Sequence, residues 1–326
     1  MKYFCASPAA VLASLWVFLM LNVPSVSSAE TDLQPTQVVL GTATPGGGFQ
    51  LFGQHMAEVI NGIEPSLQVE VIPTRGSLQN IDLLETGRID IGLVEGNAAH
   101  RVLEGVGRAP ADLAVLSVMY PNPGMFAVRA DSLYRSIEDL KGKPVAFGTR
   151  SSGLRILAED VLDGIGLTPE RDFAAVILEK ARDGPRMVLD GEVEALWGAG
   201  IGWPGFVKIA AGPVGARFIA PSAGQVQQIL KKHPHLRAMS VPAGTYKDQT
   251  APIHSVGLWS LILVRPDLPE EIVYRLAFAL YNSGSVLAER LEQGRYTTAE
   301  NTAKEVPLER LHRGTQRYFR EASTQR

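Results

Sequence analysis

Two stretches, Val38 to Val94 and Val145 to Trp197, spell out one order of short β-rich runs, glycine-rich turns and helical periods. In the first, Val38-Val39-Leu40 reads as a buried strand and Gly41 to Gly48 as a turn. Phe49 to Asn61 then sets Phe52, Met56, Val59 and Ile60 on one helical face. Leu67 to Ile72 is the next strand, Ser77 is placed to cap a helix through Leu84, and Ile89 to Val94 is a third strand. In the second stretch Val145 to Phe147, Phe173 to Leu178 and Val193 to Trp197 are strands, while Leu154 to Leu162 and Arg182 to Leu189 are helices. The tightest echo sets Leu84-Glu85-Thr86-Gly87-Arg88-Ile89-Asp90-Ile91 against Leu189-Asp190-Gly191-Glu192-Val193-Glu194-Ala195. In both, a helix stops at glycine and the chain re-enters a sheet through an acidic residue between apolar ones. A chain built this way folds as layered α/β, and the repetition implies two lobes.

The lobe boundaries follow from local punctuation. Arg129-Ala130-Asp131 follows a strand ending at Val128, and Ser136 to Lys143 is a capped helical turn opening a new unit, which predicts a crossing near residue 130. Ser255 to Val264 reads as one strongly apolar strand leading through Pro266 and Pro269 into a long helix through Tyr281, which predicts a return around Pro242 to Tyr246. The expected organisation is a leader over 1–29, a first lobe over 30–130, a second over 131–242, and a return to the first with C-terminal helices over 243–326. Two connecting strands make a hinge, and the cleft between the lobes collects loops from the strand ends.

Lys2, the apolar run Ala9 to Val23 and the small residues Ser27-Ser28-Ala29 form a secretory leader. Pro24 closes that run before it reaches the roughly 20 apolar residues of a membrane span. The expected mature N-terminus lies near Glu30, in the periplasm. Cys5, the one cysteine, leaves with the leader, so a disulfide framework and a cysteine-based zinc or catalytic site are excluded from the body of the chain. With 326 residues, 45% of them apolar, there is enough chain for two cores, and a formal charge of −3 supplies no basic field for nucleic acid.

Enzyme signatures are absent: no phosphate-loop, zincin or nucleophile-elbow pattern occurs, and Leu51 stands where a dinucleotide fingerprint needs its third glycine. His55 falls in a predicted helix, His233 and His235 flank Pro234 on a polar surface, and His254 and His312 stand alone. None has the spacing of a triad or metal site. No catalytic group, cofactor or metal is expected.

What remains is a set of small polar loops after strands. The first carries Thr42, Thr44, Gly47, Gly48 and Phe49; the second Arg75, Gly76 and Ser77; the third Glu95 and Asn97; the fourth Thr149, Arg150, Ser151 and Ser152. Three of them open helices, whose free N–H groups and positive dipole end favour a carboxylate. Arg75 and Arg150, in matching loops, are placed to grip a carboxylate, and Glu95 to accept an ammonium. An amino acid or dicarboxylate is therefore favoured over a neutral sugar.

From Val38 to Tyr281 the order and spacing of these pieces resemble the TAXI receptors of tripartite ATP-independent periplasmic (TRAP) transporters. The most specific segments are Gly41 to Gly53, Arg75 to Ile81 with Leu84, Gly87 and Asp90, Val128 to Ser132 leading into Asp139-Leu140-Lys141-Gly142-Lys143, Phe147-Gly148 with Ser151, Ser152 and Gly153, and Pro242 to Tyr246. The resemblance implies a class II periplasmic-binding-protein fold, no catalysis, and delivery of a glutamate-like or 2-oxoglutarate-like molecule to an integral membrane permease. The sequence departs from the family at Gly47-Gly48-Phe49-Gln50, where tyrosine hydroxyls are usual, and at Glu95-Gly96-Asn97, where Gln-Ser-Asp is usual. Trp197 replaces a smaller aromatic and Trp203 follows it, so both join the candidate ligand contacts. A rival role for the same fold is a periplasmic sensor that docks on a signalling receptor.

Overall fold

A computed structural model describes Met1, residues 34–283 and residues 285–324. Apart from Met1, the leader over 1–29, with Cys5, lies outside the described residues. Among the described residues no helix is long and apolar enough to cross a membrane.

Among the described residues twelve strands form two five-stranded sheets and one pair. The first sheet has the order β2-β1-β3-β12-β4, built from β1 (Thr36–Gly41), β2 (Leu67–Ile72), β3 (Ile91–Val94), β4 (Ala114–Pro121) and β12 (Trp259–Val264). The second has the order β7-β6-β8-β5-β9, from β5 (Gly124–Arg129), β6 (Pro144–Thr149), β7 (Ala174–Leu178), β8 (Ala195–Ala199) and β9 (Ala216–Ile219). In each, three parallel strands lie in the order second, first, third. An antiparallel strand from elsewhere in the chain, β12 or β5, then pairs between the third strand and an outer one. The architecture is the two-lobed class II fold. The central strands are apolar throughout, β3 and β8 being buried at every residue, as strands covered on both faces must be.

The helices cover those faces. The first lobe carries α1 (Gly48–Ile63), α2 (Ser77–Glu85) and α3 (Gly96–Glu104). The second carries α4 (Gly153–Gly164), α5 (Pro169–Asp172), α6 (Asp183–Leu189), α7 (Pro204–Ala210) and α8 (Ala223–Lys232). After β12 the chain adds α9 (Glu270–Tyr281), α10 (Val286–Arg290), α11 (Ala299–Glu305) and α12 (Arg313–Thr324). Each sheet separates two apolar cores: Phe52, Met56, Ile60 and Leu276 pack on one side of the first and Leu84, Val102 and Leu263 on the other. Phe126, Phe147 and Trp197 lie on one side of the second, with Val188, Phe206 and Tyr246 opposite.

The echo survives at atomic detail. The Arg88 N–H donates to the Leu83 carbonyl at 2.8 Å, and the Glu192 N–H to that of Met187 at 2.8 Å, closing equivalent turns through Gly87 and Gly191 at φ 66° and 75°. The acidic residues that follow tie each turn to the neighbouring first strand, Asp90 N–H to the Val39 carbonyl and Glu194 N–H to that of Pro144.

The crossings differ from those expected. β4 ends in the first sheet at Pro121 and β5 begins in the second at Gly124, so the chain crosses at Asn122-Pro123, not near residue 130. The run Ser255 to Val264 is two strands: β11 (Ile253–Gly257) pairs antiparallel with β10 (Arg237–Val241), and β12 joins the first sheet. Val241, Tyr246, Ile253 and Val256 pack in second-lobe cores, so the return lies at Leu258 and not at Pro242 to Tyr246. An apolar run through a crossing looks continuous because both halves are buried. The two crossings touch: the Asn122 N–H donates to the Leu258 carbonyl at 3.0 Å, and the Asn122 amide bonds the Ser260 hydroxyl.

Candidate functional site

Four helix N-termini converge where the lobes meet. Gly47 precedes α1, Gly76 precedes α2, Glu95 precedes α3 and Ser152 precedes α4. They border a cavity of about 70 Å³, room for a small molecule of a few heavy atoms. Glu95 and Ser152 cap their own helices: Glu95 Oε2 accepts from the N–H groups of Asn97 at 2.9 Å and Ala98 at 3.4 Å, and Ser152 Oγ from that of Leu154 at 3.2 Å. Gly47 and Gly76 have no side chain with which to do so, leaving the α1 and α2 termini without a side-chain cap at the cavity. Ser77, expected as a cap, is instead the first helical residue, and its Oγ accepts from the Glu95 N–H at 3.0 Å.

Of the residues singled out in the sequence, Thr44, Gly47, Gly48, Phe49, Arg75, Gly76, Ser77, Glu95, Thr149, Ser152, Trp197 and Trp203 border this cavity. Four do not. Thr42 is fully buried and donates its hydroxyl to the Ile72 carbonyl at 3.0 Å, fastening β1 to the end of β2. Asn97 turns into the second lobe and donates to Asp160 Oδ2 at 2.9 Å. Arg150 is exposed and lines a separate groove with Leu78, Arg101 and Glu159. Ser151 contributes its carbonyl, which accepts the Leu78 N–H at 3.2 Å. Trp197 borders the cavity only with its ring, because its single donor goes to the Leu154 carbonyl at 2.8 Å.

Glu95 and Arg75 place a carboxyl group and a guanidinium at the cavity. Glu95 is 1% exposed, and its Oε1 has no hydrogen-bond partner. Burial, only partly offset by the N–H groups of Asn97 and Ala98, raises its carboxyl to about 8. Arg75 stands exposed on the rim. The sequence missed Tyr120 and Asn122, which end β4 and begin the crossing and add a phenol and an amide to the wall. Burial, with Glu95 nearby, keeps the Tyr120 phenol neutral by pushing its pKa far up.

The lobes meet closely around the cavity. The Ala181 N–H of the second lobe donates to Thr44 Oγ1 of the first at 3.2 Å. Outside the cavity, Arg101 Nη2 of α3 lies 2.6 Å from Asp160 Oδ1 of α4. Burial opposes ionisation of Asp160, but the His235 hydrogen bond and the Arg101 charge outweigh it, and the carboxyl lies below its ordinary value. His233 and His235, for which spacing alone suggested no metal site, are brought within reach of Asp160 by the fold.

The NMT1-like family matches residues 40–322 of this chain. Among solved structures, the alkanesulfonate-binding protein SsuA from Xanthomonas axonopodis pv. citri, bound to MOPS, is similar at 18% identity, covering 84% of this chain and 86% of that one, with a TM-score of 0.47. A TctC solute binding protein from Polaromonas is similar at 16% identity over 88% of this chain and 98% of that one, with a TM-score of 0.48. Full-length OxyR from Pseudomonas aeruginosa, at 13% identity over 82% of this chain and 71% of that one, reaches 0.50, a likeness of fold.

Proposed function

The chain belongs to the NMT1-like family, of the periplasmic solute-binding type, and from that premise we propose that it is a TAXI-type receptor. In this reading it works in the periplasm, captures a small organic acid or amino acid by lobe closure, and delivers it to a TRAP-type permease without chemical turnover. The observation that carries the reading is the pair of N-termini without side-chain caps, those of α1 and α2, facing one cavity beside Arg75. Backbone N–H groups there, with the guanidinium, suit a carboxylate. The unpartnered Oε1 of Glu95 suits an ammonium at the other end of the same molecule, whose positive charge favours the ionised carboxylate over the protonated form held in the solute-free protein. With Arg150 outside the cavity only one arginine remains, which favours an α-amino acid over a dicarboxylate.

Calorimetry on protein stripped of bound solute tests this with an amino-acid panel and a dicarboxylate panel. Arg75→Ala weakens any carboxylate ligand by about tenfold or more, the scale of a charged hydrogen bond. Glu95→Gln weakens an amino acid and leaves a dicarboxylate unharmed. Tight binding of a neutral sugar with both variants unaffected refutes the proposed ligand class.

A further inference from the structure

We propose that Asp160, His233 and His235 form a site on the second lobe for a divalent transition metal ion such as zinc, and that Arg101 of the first lobe competes with the ion for Asp160, so that metal binding opposes lobe closure. The three side chains reach one point from two elements. Asp160 lies on α4, His233 directly follows α8 as its C-cap, and His235 follows across Pro234. One ligating atom from each lies within 4.8 Å of the others. His235 Nε2 is 3.3 Å from Asp160 Oδ2 and His233 Nδ1 is 4.0 Å from Asp160 Oδ1. A zinc ion held at about 2.0–2.2 Å by each ligand in tetrahedral geometry sets its ligand atoms about 3.3 Å apart, so small side-chain rotations suffice. Two imidazoles and a carboxylate suit zinc, copper or nickel better than calcium or magnesium.

The surroundings match what metal-binding histidines need. His233 Nε2 bonds Asp163 Oδ2 at 2.8 Å, which presents Nδ1 toward Asp160 in the carboxylate–histidine arrangement that orients metal ligands. Lys232 holds the other Asp163 oxygen at 2.9 Å. With the lobes closed the His235 ring also lies flat on that of His100 on α3, with centroids 4.4 Å apart and planes within 4°, a contact that parts with the lobes and frees the ring to turn toward an ion.

In the closed lobes the Asp160 carboxylate is already satisfied from across the interface, by Arg101 at 2.6 Å and the Asn97 amide at 2.9 Å. Both groups sit on α3 of the first lobe, so they leave when the lobes part. Asp160 then keeps only its histidine neighbours, and a dication can take the role of the guanidinium. A dication and a guanidinium held on one carboxylate repel each other, so each weakens the other's hold on Asp160.

The test is titration of zinc chloride into the full chain by calorimetry, alongside small-angle scattering with zinc and with a chelator. The expected result is one equivalent bound, with affinity lowered about tenfold or more by either His233→Ala or His235→Ala. Both histidines are partly exposed, so these variants leave the core intact. Arg101→Met should raise zinc affinity, a gain that misfolding cannot imitate. Zinc should also increase the radius of gyration of the wild type but not of the double histidine variant. Absent zinc binding, or binding undiminished in the double variant, overturns the site. An Arg101→Met protein with unchanged zinc affinity overturns the competition.

Discussion

Glu95 shows what a single side chain decides here. Its carboxyl is raised to about 8 in the fold against an ordinary 4.5 in an unfolded chain, with burial as the leading cause. The folded state therefore holds a proton that the unfolded state has lost between those values, and stability falls as pH rises through that window. The stabilisation is complete below about pH 4.5 and spent above about pH 8. Urea denaturation of solute-free protein across this range should show that decline, and Glu95→Gln should flatten it. An equally steep decline in the variant assigns the effect to another group. Glu95 was legible in the sequence because an acidic residue directly after an apolar strand is costly unless it has a task. Arg150, expected to grip a carboxylate together with Arg75, lies outside the cavity, since matching position in two loops does not fix which way a side chain leaves the turn. Asn97 likewise sat in the right loop, but Gly96 already begins α3, and the helix turns Asn97 toward Asp160 rather than into the cavity.

Single strands and helices followed their patterns closely: β2 spans Leu67–Ile72 as the alternation indicates, and α9 ends at Tyr281. The junctions were less legible, because hydrophobic pattern reports burial and not which sheet does the burying. Gly257 and Leu258 carry the chain from the second lobe to the first inside an unbroken apolar run. The physical signature of that crossing is the glycine itself. A Cβ at Gly257 would stand 1.9 Å from the Asn122 carbonyl oxygen, a backbone atom of the other crossing that cannot swing aside. Gly257→Ala should therefore force the crossings apart and cost about 1–3 kcal/mol, the range for overpacking a tight site. A urea midpoint equal to that of the wild type would show that the two strands separate freely. His233 and His235 illustrate the same limit, since their partner Asp160 comes from α4, far off in the chain, and no spacing rule connects them.

At the scale of the whole molecule, the repeated strand order of the two sheets was foreshadowed by the repeated syntax of the sequence, and the cleft between them follows from that duplication. How far the lobes close is set by contacts that no single-lobe pattern encodes. Gly153, the first residue of α4, makes one of them. A Cβ there would lie 2.5 Å from the Cβ of Glu95 and 2.9 Å from Ser77 Oγ, both on the opposite lobe. Within its own lobe alanine is the better helix former, so Gly153→Ala should not weaken α4. The substitution thus acts as a wedge at the floor of the cavity. Its expected signature is a larger radius of gyration by small-angle scattering, with weaker solute binding because contacts made only on closure are lost. Thermal stability of the solute-free protein should stay near that of the wild type, or the defect would lie in folding rather than in closure. A variant that compacts and binds as the wild type does would mean that capture proceeds without the lobes meeting at this point.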